Sequence, residues 1–395
     1  MAPAHTEEQG AEIRGDVLET ILSHVPAVYL VAACHVSTWW RDAVSSSLHH
    51  SPLKPWLIVH AQATHSPHHT TVSAYDPRSR IWIRISRPPA AHAPAALDSS
   101  PSNFLYALSP SEFRFSLDPL GSDWRAADPP RHLVVAGGAC DFEDDPLAVE
   151  IYGLRTRAWR ACDPMPVNLK GSASSSWLSA AAIAGKLVVV EKQSGVLHWF
   201  DPETGSWSDP VSLDPSQTVT NYNIGCFNGG LLLIGVCRVD GADRVKIWRF
   251  AGSDFSDFEE IGEMPEEFVR RLRDECFGNF SVEVRVSGSV VYVCAAEEVV
   301  ACEVVGGGGS RWWSVGNLVA RGGIIGRRLV FSSSEVGIGD LRRAMVVNKW
   351  KFEVSPDKQN SLGISYIYFM GMGLNLSDVA HMWKAAALVH PPFAD

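Results

Sequence analysis

The chain has 395 residues, 46% hydrophobic and 20% charged, which excludes a disordered or fibrous protein and leaves room for a large buried core. Its formal net charge is -10 with Lys and Arg scattered along the sequence, which argues against a nucleic-acid-binding surface. Eight cysteines include no C-x-x-C pair and no Cys/His clustering at zinc spacing, so a reducing compartment is expected and no metal or cofactor is predicted.

Residues 1–11 are polar and unpatterned and are expected to be disordered. No basic flank meets an apolar core at the N-terminus, so no secretory leader is expected. The period then becomes helical. In Asp16 to Val25, the residues Val17, Leu18, Ile21, Leu22 and Val25 share a face, while Asp16 and Glu19 suit a helix start. Pro26 stops that helix. A second short helix is predicted from about Val28 to Cys34, carrying Leu30. After Val36, Ser37 is an N-cap for a third helix carrying Trp39, Trp40 and Val44. Three short helices in a segment of 12–50 fall below the roughly 40 residues at which a domain needs outside help. They also carry more apolar positions than they can hide among themselves, so a partner is expected.

Pro52 and Pro55 stiffen the connector that follows. From residue 55 the chain repeats one pattern, clearest at His132 to Trp159. An apolar run ends in Gly137-Gly138, a polar loop follows, a second apolar run carries Tyr152, and Trp159 comes seven residues later. Runs of four to six residues rich in Val, Ile and aromatics, bounded by Gly, Asp and Pro, have strand length and composition. Tyr75 and Trp82, then Phe200 and Trp207, repeat the spacing of seven. Weaker copies begin at Leu105, Leu231 and Val290, giving six units. The unit-ending tryptophans at 82, 124, 159 and 207 stand 42, 35 and 48 residues apart, a span that suits propeller blades and is too irregular for a helical solenoid.

Two resemblances follow from these residues. The repeated units, over roughly 55–335, resemble kelch repeats, whose blades carry a diglycine after the second strand and then a Tyr and a Trp. The resemblance implies a mainly β fold, a kelch-type β-propeller of about six blades over 55–345. The helical segment resembles an F-box, through Asp16-Val17-Leu18, Ile21-Leu22, the Val25-Pro26 break, Leu30, Cys34, Val36-Ser37 and Trp40-Arg41. Ile13-Arg14 stands where the family opens with Leu-Pro, and Trp39 where it carries a polar residue. The F-box resemblance implies docking on a Skp-type linker protein, and through it on cullin, by Ile13, Val17, Leu18, Ile21, Leu22, Val25, Pro26, Leu30, Val36 and Trp40. Together the two imply a non-catalytic substrate receptor of a ubiquitin ligase in the cytoplasm or nucleus, without nucleic-acid or membrane partners. Plant F-box/kelch proteins are the nearest resemblance, and several of those target enzymes of phenylpropanoid and flavonoid synthesis.

In a four-stranded blade, loops joining second to third strands emerge on one face, where a target would bind. Asp141, Phe142, Glu143, Asp144 and Asp145 form the most distinctive of these, an acidic protrusion suited to a basic partner, against the plainer reading of a solvated charge run. Glu191 and Lys192 belong to another. His65, His68 and His69 lack a carboxylate or cysteine to complete a metal shell. Gly306 to Gly309 lacks the helix and lysine of a phosphate loop, and Ser174 to Ser176 lack a hydrolase elbow. Leu329-Val-Phe331 and Val336-Gly-Ile338 read as the last strands, one of which would complete the first blade and close the ring. Residues 346–395 show no kelch pattern and are an atypical tail, whose apolar run at Ser365 to Leu374 falls short of the roughly 20 residues a membrane span needs.

Overall fold

A computed structural model describes residues 15–354 except 64–69, 88–96, 101–102, 110–111, 117–119, 121–131, 138–144, 154–155, 157, 175–176, 251–254, 256, 277–278, 297, 306–307 and 317–326. The chain divides into two compact units. One gathers the N-terminal 54 residues, Asp76–Arg84 and everything from Val336 onward; the other holds Pro55–Tyr75 and Ile85–Glu335.

In the first unit, α1 (Asp16–His24), α2 (Ala27–Ala33) and α3 (Thr38–His50) follow the capping signals. Val25 is extended, Pro26 precedes α2, and the Ser37 hydroxyl accepts a hydrogen bond from the Trp40 amide at 3.2 Å. Leu18, Leu22, Val25, Leu30, Ala33, Ala43 and Val44 form the core of this helical group, ringed by Tyr29, Cys34, Trp40, Leu48 and Ile338. Ile338 opens a further helix, residues Ile338–Val346, which packs on α2. Val336-Gly-Ile338 is therefore the entrance to a helix and not the strand expected from its apolar residues, because the Gly337 amide donates to the Asp340 carboxylate at 3.0 Å and starts a helical turn. The strand Lys351–Val354 belongs to the same unit.

The second unit is a β-propeller built of antiparallel sheets. Among the described residues the chain forms six sheets, four with at least four strands and two with three, so the tally of complete blades differs from the six units of the sequence. The inner strands Leu178–Ile183, Val219–Phe227, Glu283–Ser287, Arg327–Ser334 and Leu97–Ser99 lie side by side in that order. The ring closes as the sequence suggested. Arg327–Ser334, which contains Leu329-Val-Phe331, pairs antiparallel with Trp56–Ala63 from Trp56↔Ser334 to Ala63↔Arg327. Pairing the last strand with the first removes the exposed edge that would otherwise invite aggregation.

The spacing of seven has a simple geometric cause. Tyr152 and Trp159 are cross-strand partners in one hairpin and Phe200 and Trp207 in another, with ring centroids 5.0 Å and 5.1 Å apart and both pairs tilted by 45°. Such pairs contribute roughly 0.5–1.5 kcal/mol beyond the area they bury. Tyr75 and Trp82 are both buried, and the Tyr75 hydroxyl accepts from the Trp313 indole at 3.0 Å. Gly137 takes φ +74°, and a Cβ there would stand 2.9 Å from Met165 Cε, so glycine is required; Gly138 lies outside the described residues.

Two further helices join strands of the propeller: α4 (Lys170–Ser174) and α5 (Glu266–Asp274). α5 buries Val269 and Leu272 against Val236, Val245, Val293 and Val300 in the largest core cluster. The helix Ile338–Val346 of the first unit is α6. Cys294 and Cys302 are buried strand residues, and burial pushes both thiols up, that of Cys302 to about 12, which leaves them inert.

Candidate partner-binding sites

The helical unit separates its apolar residues into two sets. Leu18, Leu22, Val25, Pro26 and Leu30 are buried, and each large side chain among them gains about 1.5–3 kcal/mol by leaving water. These hold the helices together. Val17, Val36 and Trp39 are 61%, 54% and 52% exposed, while Ile21 and Trp40 are half-buried. This second set stands at the surface of the unit, as do Val346 and Val347 at the end of the helix Ile338–Val346. Ile13 lies outside the described residues.

A segment distant in sequence fixes the helix ends. The Arg78 guanidinium donates to the Leu22 carbonyl at 3.1 Å, the Val25 carbonyl at 2.8 Å and the Ser51 carbonyl at 3.1 Å. These are the terminal carbonyls of α1 and α3, groups that a helix cannot satisfy from within. Asp76, wholly buried, accepts from the Arg78 amide at 3.0 Å and the Ser79 hydroxyl at 2.6 Å. Its Oδ2 also stands 3.4 Å from the Ala27 amide at the start of α2, where Pro26 supplies no side-chain cap. A carboxylate there suits the free amides and the helix dipole. Sequence reasoning missed both roles. The signal was the Asp-Pro turn at 76–77, which recurs at 201–202, where the Asp201 carboxylate likewise accepts from the amide two residues on, that of Glu203, at 2.9 Å, but pairs with Lys186 at 3.7 Å instead of meeting a helix start.

In the propeller, the turn that carries Glu191 and Lys192 is rigid. The Glu191 carboxylate accepts from the Ser172 hydroxyl at 2.8 Å, the Gln193 amide at 3.0 Å and the Ser194 amide. Burial alone would raise its pKa, but the hydrogen bonds from Ser194, Ser172 and Gln193 together hold it below the ordinary glutamate range. Glu191 is thus 8% exposed and shapes the turn from within. The Lys192 amide donates to the Trp177 carbonyl at 2.9 Å and its carbonyl accepts from the Tyr222 amide at 2.8 Å. Trp177 directly precedes the inner strand Leu178–Ile183, and Tyr222 lies in the first half of the inner strand Val219–Phe227. Asp145 is exposed and accepts from the Leu147 amide at 3.0 Å; Asp141, Phe142, Glu143 and Asp144 lie outside the described residues, as do His65, His68 and His69.

Among the described residues no group of three or more His, Cys, Asp or Glu side chains converges as a metal site. No described helix is long and apolar enough to cross a membrane.

No family model matches the chain. A curated F-box/kelch-repeat protein of Arabidopsis thaliana is 36% identical over 368 residues, covering 85% of this chain and 93% of its own length. Solved structures that match the chain include a putative 6-phosphogluconolactonase of Bacteroides fragilis, with 12% identity, a TM-score of 0.32, and coverage of 70% of this chain and 98% of that one. Another is the β-propeller domain of Myceliophteria thermophila Cps50 (Swd1), with 13% identity, a TM-score of 0.31, and coverage of 62% and 80%. The helical segment, the closed ring of sheets and the extent of the Arabidopsis match together make this chain a member of the F-box/kelch-repeat protein family.

Proposed function

We propose that this chain is the substrate-recognition subunit of an SCF-type ubiquitin ligase. The helical unit docks on a Skp-type linker protein and through it on cullin, and the propeller holds a target protein for ubiquitination and degradation. The rate gain comes from bringing target and charged ubiquitin carrier together, with no catalytic side chain in this chain. The observation that carries the reading is the division of the helical unit: its packed core leaves Val17, Val36 and Trp39 exposed. Large apolar side chains left in water by a packed core support a reading in which another chain covers them. Enzymes of phenylpropanoid or flavonoid synthesis are the first targets to examine, by analogy with the family. Cytoplasm or nucleus is the compartment that fits this role.

The test is affinity purification of the full chain from cells with the proteasome blocked. Recovery of a Skp-type linker and cullin together with a target that accumulates on blocking is the expected result. Recovery of propeller-bound partners but never a linker protein makes the chain an interaction scaffold without a ligase role.

A further inference from the structure

α6 is closed at both ends by its own segment. Ile338, Leu341 and Ala344 recur at a spacing of three along one face, and the last two are buried. At the start the Gly337 amide donates to the Asp340 carboxylate. At the end the Arg343 carbonyl accepts from the Val347 and Asn348 amides at 2.9 Å and 3.1 Å, and the Ala344 carbonyl accepts from the amide of the buried Trp350 at 2.9 Å. With its end groups met locally, the helix needs only an apolar surface for its stripe.

α2 supplies that surface. Leu30 and Ala33 belong to the core shared with α1 and α3, whereas Ala27, Val28 and Val31 are as deeply buried yet stand outside that core. A seven-residue helix buried on two faces needs a wall on each. α3 packs on α2 and so does α6, whose Ile338 also reaches the core of the three N-terminal helices. The ends of these helices are likewise met from outside them. Arg78 holds the carbonyls of Leu22, Val25 and Ser51, and Asp76 stands at the first amide of α2.

By themselves, helices of 9, 7 and 13 residues are marginal in water, and a segment below roughly 40 residues does not usually hold a fold unaided. Val17, Val36 and Trp39 are therefore held in one arrangement only while the core beneath them is complete. We propose that α6 is an obligatory fourth helix of the linker-docking unit, so that the docking surface exists only in a chain whose segment from Val336 has returned onto α2. This rests on the receptor reading for the identity of the linker; the dependence of α1–α3 on α6 does not. The arrangement sets an order of maturation. Residues 338–346 are synthesised after the closing strand Arg327–Ser334, so the chain recruits a ligase only once the strands that hold a target have been made. A chain without α6 in place binds the linker in proportion to the small fraction of its N-terminal helices that is folded.

The experiment uses the purified full chain, the double variant Ile338→Asp, Leu341→Asp that detaches α6, the milder Ile338→Ala, and Arg343→Ala on the exposed face of α6 as control. Hydrogen exchange and affinity for a recombinant Skp-type linker protein are measured on each. In the double variant α1–α3 amides should exchange about 100-fold faster or more, and linker affinity should fall about ten-fold or more, with inner propeller strands unchanged. Ile338→Ala should fall between, and Arg343→Ala should match the wild type. Unchanged exchange in α1–α3, or faster exchange with linker affinity kept, overturns the proposal. A gain in affinity overturns it too, since α6 would then cover the docking surface instead of supporting it. If the double variant also loses protection in the propeller, Ile338→Ala decides by the same criteria. A wild-type chain that binds no linker fails the receptor reading alone, and the exchange rates still decide whether α1–α3 depend on α6.

Discussion

The Arg285 guanidinium and the Ser99 hydroxyl lie 3.0 Å apart across 186 residues of sequence. They tie the inner strand of the sheet built from residues 283–314 to that of the sheet built from 97–116. Arg285 also binds the Phe331 carbonyl on the closing strand between them. Asn103 repeats the arrangement: its amide nitrogen donates to the Val286 carbonyl at 2.8 Å and its oxygen accepts from the Ser333 amide at 3.1 Å. The ring is therefore closed twice, once by the ladder of Arg327–Ser334 on Trp56–Ala63 and once by polar staples to its neighbours.

Asn103 takes φ +65°, a region Asn tolerates better than most residues. Asn103→Ala removes both staples and keeps the unfavourable backbone. The expected cost is about 2–3 kcal/mol, read as a lower midpoint in denaturant, with little change in the helical unit's hydrogen exchange.

Arg78→Ala leaves three helix-terminal carbonyls without their charged donor. Hydrogen exchange of α1–α3 amides should accelerate, by an amount corresponding to about 2–4 kcal/mol, while amides of the inner propeller strands keep their protection. Arg78→Lys should recover only part of the loss, since an ammonium cannot fork across three acceptors. Unchanged exchange in α1–α3 would show that Arg78 is incidental to the helical unit.

His60 gives the propeller a pH dependence. It is 1% exposed, its Nε2 lies 3.3 Å from Arg87 Nη2, and among the described residues its Nδ1 has no hydrogen-bond partner. Since Arg87 can only donate, Nε2 accepts and the proton sits on Nδ1. Burial, with a smaller push from Arg87, holds the imidazole well below its ordinary range. The unfolded chain takes up a proton at about pH 6.5 and the folded one only at lower pH. Stability is thus full above about pH 6.5 and is lost as pH falls below it, by up to about 1.4 kcal/mol per pH unit until the folded pKa is reached. Thermal melts at pH 7.5 and 5.5 should show a larger drop for wild type than for His60→Leu, and equal drops would remove His60 as the cause.

Much of this was legible because local chemistry and tertiary structure agree. Pro26 and Ser37 set the helix boundaries, and an aromatic seven residues before a tryptophan marked a hairpin because the two rings face each other across its strands. α5 was readable but passed over: Glu266-Glu267 after Pro265, then Val269 and Leu272 at helical spacing with Arg271 and Arg273 in the last turn. Other features were out of reach. Nothing local tells Asp76 from Asp201; only the fold brings Ala27 to one and not to the other. The split of the helical residues into buried Leu18 and exposed Val17 depends on how α1 lies on α3, and the part played by Ile338 depends on a helix some three hundred residues further along the sequence.

The central claim is that the exposed apolar residues of the helical unit dock a Skp-type linker protein. Its most direct measurement is the affinity of the purified full chain for such a linker, compared with that of the double variant Val17→Asp, Trp39→Ala. Because both residues are more than half exposed, the variant should melt within a few degrees of the wild type and lose linker binding by about two orders of magnitude, as truncation of an aromatic anchor and burial of an unpaired charge together imply. Tight linker binding that survives the double change, or a wild-type chain that binds no linker, would contradict the account.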